Sequence, residues 1–222
     1  GTVNPIAEMV SIAHAKGALV INDNTWATPL FFRSLDKGVD ISVQAGTKYL
    51  GGHSDIMFGT ISANAATLPK IAAGIRMLGI CAGPDDVFLA LRGLRTLGVR
   101  LRQHETSALE MARWLQQRPE VARVMHPALP DDPGHALFKR DFTGASGLFS
   151  VILKPVPHAA LLAFLNNVRL FGMGYSWGGF ESLVIPFDCS GYRTATRWQP
   201  EGPALRFHIG LENCDDLKAD LD

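Results

Sequence analysis

The chain has 222 residues, with 21 basic and 21 acidic side chains and a formal net charge of zero. A hydrophobic fraction of 47% against 19% charged residues excludes a disordered chain, and the length allows one large domain or two modest ones. Zero net charge, with basic residues dispersed apart from a modest cluster at Arg92, Arg95, Arg100 and Arg102, gives no electrostatic case for a nucleic-acid or anionic-membrane partner.

Cys81, Cys189 and Cys214 are odd in number and far apart, which is no disulfide framework and no zinc spacing, so free thiols in a reducing compartment are expected. No apolar run reaches the ~18 residues a membrane helix needs. Residues 1–5 lack the charged and apolar regions of a signal peptide, and no Asn-x-Ser/Thr acceptor occurs. These features predict a soluble, cytoplasmic protein.

Asn4 and Pro5 are placed to cap and start a first helix, carried by Ile6, Met9, Val10 and Ala13 and closed by Gly17. The continuous apolar run 18–21 predicts a buried strand ending in a polar cluster, Asn22 to Thr25. A helix-like stretch over 31–37 leads to a second buried strand, 41–45, followed by Thr47 and Lys48. Strand, helix, strand at this spacing implies an α/β fold with a parallel sheet, whose ligands sit beyond the carboxyl ends of the strands. Asp23 and Lys48 both fall there.

The pattern from 84 to 119 is helical and long enough to join two domains, with Gly93 and Gly98 as tolerated costs of about 1 kcal/mol each. Beyond it, 121–124, 147–153, 183–185 and 205–209 read as strands, and 159–166 and 214–221 as helices, which is a smaller α+β unit. The expected division is 1–95 for the α/β part and 96–222 for the linking helix and the C-terminal unit.

Asp23 alone reads as a turn former and Lys48 alone as a solvated lysine. Together they suggest more. A lysine after a small-residue strand end (Ala45, Gly46, Thr47) and before Gly51-Gly52 has an approachable backbone, and a carboxylate at the neighbouring strand end faces the same cleft. Pyridoxal phosphate needs such a lysine for its aldehyde and an acid that keeps its pyridine nitrogen protonated. Many α/β enzymes place polar residues there, so spacing leaves the reading open. His53 and Asp55 invite a metal or triad argument, but no third ligand or nucleophile is in phase with them and loop packing is the better reading. His104, His126, His135 and His208 have no constellation.

Three strings carry a resemblance: Ile21 to Trp26 (INDNTW), Thr47 to Asp55 (TKYLGGHSD) and Arg92 to Leu97 (RGLRTL). Together they resemble the cysteine/methionine-metabolism family of pyridoxal-phosphate enzymes, over essentially the whole chain. The string Tyr175 to Leu183 (YSWGGFESL) looks most like the bacterial cystathionine β-lyase branch, since γ-acting members more often carry leucine where Trp177 stands.

The resemblance implies a fold-type I enzyme with a mainly parallel sheet in its cofactor domain and pyridoxal 5'-phosphate as cofactor. It implies Lys48 as the lysine that carries the cofactor aldehyde and as the catalytic base, Asp23 as partner of the pyridinium nitrogen, and Thr47 as a phosphate ligand. Arg206 would hold the substrate α-carboxylate, with Ser176 and Trp177 placing lysine and substrate. A second phosphate-binding serine found in some members is replaced here by Ala45.

The implied reaction is β-elimination at the Cβ–S bond of L-cystathionine in a cytoplasmic homo-oligomer, a tetramer built as a dimer of dimers. A γ-acting lyase or synthase, or a catalytically silent fragment or assembly module, are the alternatives. The family's N-terminal portion, with its phosphate loop and ring-stacking tyrosine, has no counterpart in these residues, and Asp222 falls mid-helix. The chain is therefore expected to be a fragment.

Overall fold

In the computed structural model, residues 2–191 and 193–222 are described. Two sheets flank one long helix. The first sheet has the order β1 (Ile21–Asp23), β2 (Ile41–Ala45), β3 (Gly59–Ala63), with β1–β2 parallel and β2–β3 antiparallel. The second has β4 (Val121–Met125), β5 (Leu148–Leu153), β6 (Leu183–Phe187) and β7 (Ala204–His208) in the order β4-β5-β7-β6, antiparallel throughout.

Helix α1 (Ile6–His14) begins one residue later than the sequence suggests. Pro5 takes the N-cap position and Asn4 contributes its carbonyl, not its side chain, to Ile6 N at 2.9 Å. Gly17, at φ 71°, closes it as expected. The strand expected over 18–21 lies at Ile21–Asp23 instead and is not buried: Leu19 and Ile21 are exposed. Pairing with β2 sets its limits, because the parallel register starts at Ile21↔Ile41. The helix expected over 31–37 is two short pieces, α2 (Thr28–Phe31) and a 3-10 turn (Ser34–Lys37), separated by the extended Phe32. The sheet is mixed because β3, a strand of Gly, Thr and Ser with little apolar signal, adds an antiparallel edge. Helices α3 (Leu68–Met77), α5 (His135–Asp141), α6 (His158–Asn167) and α7 (Cys214–Leu221) complete the chain around the long central helix.

Helix α4 (Pro84–Gln116) runs unbroken for 33 residues, with Pro84 in its first turn beside Asp85 and Asp86, where the helix dipole favours acids. Its C-terminal half packs Ala108, Met111, Ala112 and Leu115 against Phe149, Val151, Leu205 and Phe207 of the second sheet. Its middle meets the first sheet's loops, where Leu97 and Leu101 pack with Phe31, Phe32 and Tyr49. Gly93 is required there. A Cβ on it would lie 2.4 Å from the carbonyl oxygens of both Leu50 and Gly51. The helix therefore touches the backbone directly after Lys48, and only glycine permits that approach.

Candidate active site

The site is assembled where the loop after β2, the end of β1 and the strand β7 meet. Lys48 sits in a tight turn closed by Lys48 N to Ala45 O (3.0 Å), Gly51 N to Gly46 O (2.8 Å) and Gly52 N to Lys48 O (2.8 Å). Next to it, Tyr49 is 1% exposed, and its hydroxyl accepts from Gly147 N at 2.9 Å, which pins the turn to the head of β5. Arg100 of α4 holds the other side. This buried guanidinium has no carboxylate partner among the described residues and is satisfied by neutral oxygens: Nη1 to Tyr49 O at 2.9 Å, Nη2 to Gly93 O at 2.8 Å and to Leu50 O at 3.4 Å, and Nε to Thr96 Oγ1 at 3.0 Å. Gly52 (φ 71°) makes room for it, since a Cβ there would fall 1.9 Å from Arg100 Nη1.

The Lys48 amine donates to Ser176 Oγ at 2.9 Å and lies 5.5 Å from the centroid of the Trp177 ring. Partial burial holds its pKa below the ordinary lysine value, and the nearby Arg206 guanidinium lowers it further. Arg206 Nη2 donates to the carbonyls of Gly174 (3.3 Å), Tyr175 (2.7 Å) and Ser176 (3.2 Å). Its Nη1 and Nε carry no hydrogen bond to the described residues, so part of the fork is open to an anionic ligand.

Asp23, at the end of β1, accepts from Thr25 N (2.9 Å) and Thr25 Oγ1 (2.5 Å), both through Oδ1. Thr25 Oγ1 in turn accepts from Ala45 N at 2.9 Å, tying the two parallel strand ends together. Oδ2 of Asp23 has no partner among the described residues and lies beside a cavity of about 390 Å³ that Asp23 shares with Arg206, Asn24, Trp26 and Ser150. Lys48 does not line that cavity. It approaches from the adjoining loop, beyond Ser176 and Arg206. The half-buried Thr47, whose hydroxyl bonds to none of the described residues, lies beside it.

The loop 174–181 that supplies Ser176 and Trp177 is held from beneath by His208, a residue to which the sequence assigns no role. His208 lies two residues after Arg206 on β7, on the same strand face. Its Nε2 accepts from Gly178 N at 2.9 Å and its Nδ1 donates to Glu181 O at 3.0 Å, a pair of contacts that defines a neutral tautomer. Burial, reinforced by His104, depresses its pKa to about 3. His53 packs on its own loop through Gly51 O at 2.8 Å, and Asp55 is exposed. No group of three or more His, Cys, Asp or Glu among the described residues could hold a metal. No described helix is long and apolar enough to cross a membrane.

An amine kept from full solvation, a carboxylate with one free oxygen, an unpartnered threonine hydroxyl and an open guanidinium fork are the donor set that a phosphorylated pyridine aldehyde and an amino acid require. The family described as Cys/Met metabolism PLP-dependent enzyme matches residues 2–222. The chain belongs to that family. Among its relatives in the family are a putative cystathionine beta-lyase of Rhizobium johnstonii, 52% identical over 98% of this chain and 56% of its own length, and the cystathionine beta-lyase of Salmonella typhimurium, 50% identical over 99% and 57%. A crystal structure of cystathionine gamma synthase from Xanthomonas oryzae pv. oryzae superposes with a TM-score of 0.90 at 34% identity, covering 99% of this chain and 58% of that one. The chain thus spans little more than half the length of these relatives, and its fold is that of fold-type I pyridoxal-phosphate enzymes.

Proposed function

We propose that the protein carrying this chain is a pyridoxal-phosphate-dependent carbon–sulfur lyase that cleaves L-cystathionine and water to homocysteine, pyruvate and ammonia. The observation that carries this reading is the placement of the Lys48 amine, 2.9 Å from Ser176 Oγ, 5.5 Å from the centroid of the Trp177 ring and within the field of Arg206, which itself lines the cavity of Asp23. Relatives named cystathionine beta-lyase at about half identity support the choice of substrate.

When bound, pyridoxal 5'-phosphate supplies an electron sink for the charge that develops at the substrate Cα. Asp23 would hold the pyridine nitrogen in its protonated, cationic form, and the Thr47 hydroxyl would be a donor for the phosphate. Arg206 grips the substrate α-carboxylate through the donors it does not spend on the 174–176 carbonyls. The Lys48 amine, with its lowered pKa, is the base that takes the Cα proton and then protonates the departing sulfur. Ser176 aims that amine, and Trp177 forms the apolar wall that excludes water. Residues 1–95 form the cofactor-binding part and 96–222 the linking helix and small unit of a homo-oligomer, a dimer of dimers.

A γ-acting lyase or synthase is the second reading, favoured by the close superposition on the gamma synthase. Product analysis separates them. With L-cystathionine, pyruvate and homocysteine are expected, whereas 2-oxobutyrate and cysteine would establish γ-cleavage.

A further inference from the structure

We infer that His208 is a positioning residue for the Lys48 amine, acting through the Gly178 N–H that its Nε2 accepts. Four observations carry this. Gly178, at φ 86°, is pressed onto the lysine itself: a Cβ there would lie 2.9 Å from Lys48 Cβ and 2.8 Å from Tyr49 N. Trp177, next in the chain, places its ring 5.5 Å from both the Lys48 Nζ and the Tyr49 ring. Gly178 N donates to His208 at 2.9 Å in a buried contact, and Glu181 O accepts from the other ring nitrogen. The ring cannot yield, because it is 1% exposed and packed between His104 at 5.2 Å and Tyr49 at 5.9 Å between centroids.

One strand thus holds the wall over the lysine at two places. Arg206 takes the carbonyls of 174–176 and His208 takes residues 178 and 181. Burial lowers the Lys48 pKa first and the Arg206 guanidinium lowers it second, and Trp177 and Gly178 are part of the cover over the side chain, so the wall's position bears on how readily Lys48 loses its proton. A protonated Nε2 would have no lone pair for Gly178, and the depression of the His208 pKa to about 3 keeps the acceptor available.

Asparagine and glutamine divide the ring's two contacts. His208→Gln carries an amide oxygen near the position of Nε2 and keeps an acceptor for Gly178; His208→Asn carries an amide nitrogen near Nδ1 and keeps only the donor to Glu181. The measurement is the pH dependence of reductive dimethylation at Lys48, read by peptide mass spectrometry on the protein without added cofactor. The Asn variant is expected to raise the Lys48 midpoint by roughly one pH unit toward that of an exposed lysine, with Gln staying close to the parent.

Gly178→Ala, which pushes the wall off Lys48 with His208 intact, should reproduce the rise even if the Asn variant folds poorly. Equal midpoints in parent, Asn and Gly178→Ala proteins would overturn the inference. So would a rise in Gln as large as in Asn. The catalytic meaning of the result rests on Lys48 being the cofactor amine. Borohydride labelling with pyridoxal 5'-phosphate tests that separately, because a tag on another lysine would refute that reading while leaving the Lys48 titration valid.

Discussion

Lys48 and Ser176 meet at 2.9 Å although 128 residues separate them in the chain. The contact depends on two independent supports. Arg100, Tyr49 and Gly93 fix the turn that carries the amine. Arg206 and His208 fix the loop that carries the hydroxyl. Variants on either side make separable predictions.

The two glycines of α4 should behave oppositely. Gly93→Ala drives a Cβ to 2.4 Å from two carbonyl oxygens and should cost on the order of 1–3 kcal/mol or more, despite alanine's better helix propensity. A Cβ at Gly98 finds its nearest neighbour at 3.6 Å, the end of the Arg102 side chain, so Gly98→Ala should stabilise by up to about 1 kcal/mol. Urea midpoints of the two variants check both signs.

Arg100→Met removes the guanidinium donors to Tyr49 O, Leu50 O and Gly93 O, of which only Gly93 O keeps a second side-chain donor, the Thr96 hydroxyl at 3.2 Å. Leaving buried carbonyls unpaired should cost roughly 2–4 kcal/mol, and Arg100→Lys should recover only part of it because an ammonium cannot span the three oxygens. Chemical denaturation measures the loss. A variant as stable as the parent would mean water replaces the guanidinium.

Three histidines make the fold acid-sensitive in a defined window. His104 and His126 are held to about 4 and His208 to about 3, each chiefly by burial, against an ordinary 6.5. Depressed native values mean that the unfolded chain binds protons first as pH falls. Their contribution to stability is therefore complete above about 6.5 and lost progressively down to 3–4, at about 1–2 kcal/mol per histidine by pH 5. Urea midpoints at pH 7.5 and 5 should differ accordingly, and replacing His126 by an apolar residue should flatten the slope.

Much of this architecture is legible in the sequence. The strand 41–45 and the helix 214–221 are read to the residue, because each has a continuous or periodic apolar pattern bounded by polar residues. The run at 18–21 misleads for a physical reason: its apolar residues announce a strand, but the residue-by-residue register with β2 begins only at Ile21↔Ile41. β3 escapes notice because Gly59, Thr60 and Ser62 carry no apolar alternation. At the site, Lys48, Asp23 and Arg206 stand out through their motifs, while Arg100 and His208 do not. Buried cations and imidazoles satisfied by backbone atoms have no partner visible in sequence, although the two-residue step from Arg206 to His208 does signal a shared face of β7.

Thr25 offers a test of the Asp23 arm. Its hydroxyl joins Asp23 Oδ1 to Ala45 N. Thr25→Val keeps the shape and removes that bridge, which should cost about 1–2 kcal/mol and loosen the carboxylate. Titration with pyridoxal 5'-phosphate followed by absorbance should show weaker binding, and Asp23→Asn should weaken the protonated-ring form still more. Cofactor spectra identical to the parent's in both variants would remove Asp23 from the site.

In the proposed function Lys48 is the amine that receives the cofactor aldehyde. Incubation with pyridoxal 5'-phosphate, reduction with borohydride and peptide mapping tests it most directly. A stoichiometric tag on Lys48, lost in Lys48→Ala, is expected. A tag on Lys37, Lys70 or Lys154, with Lys48 unmodified, would contradict it.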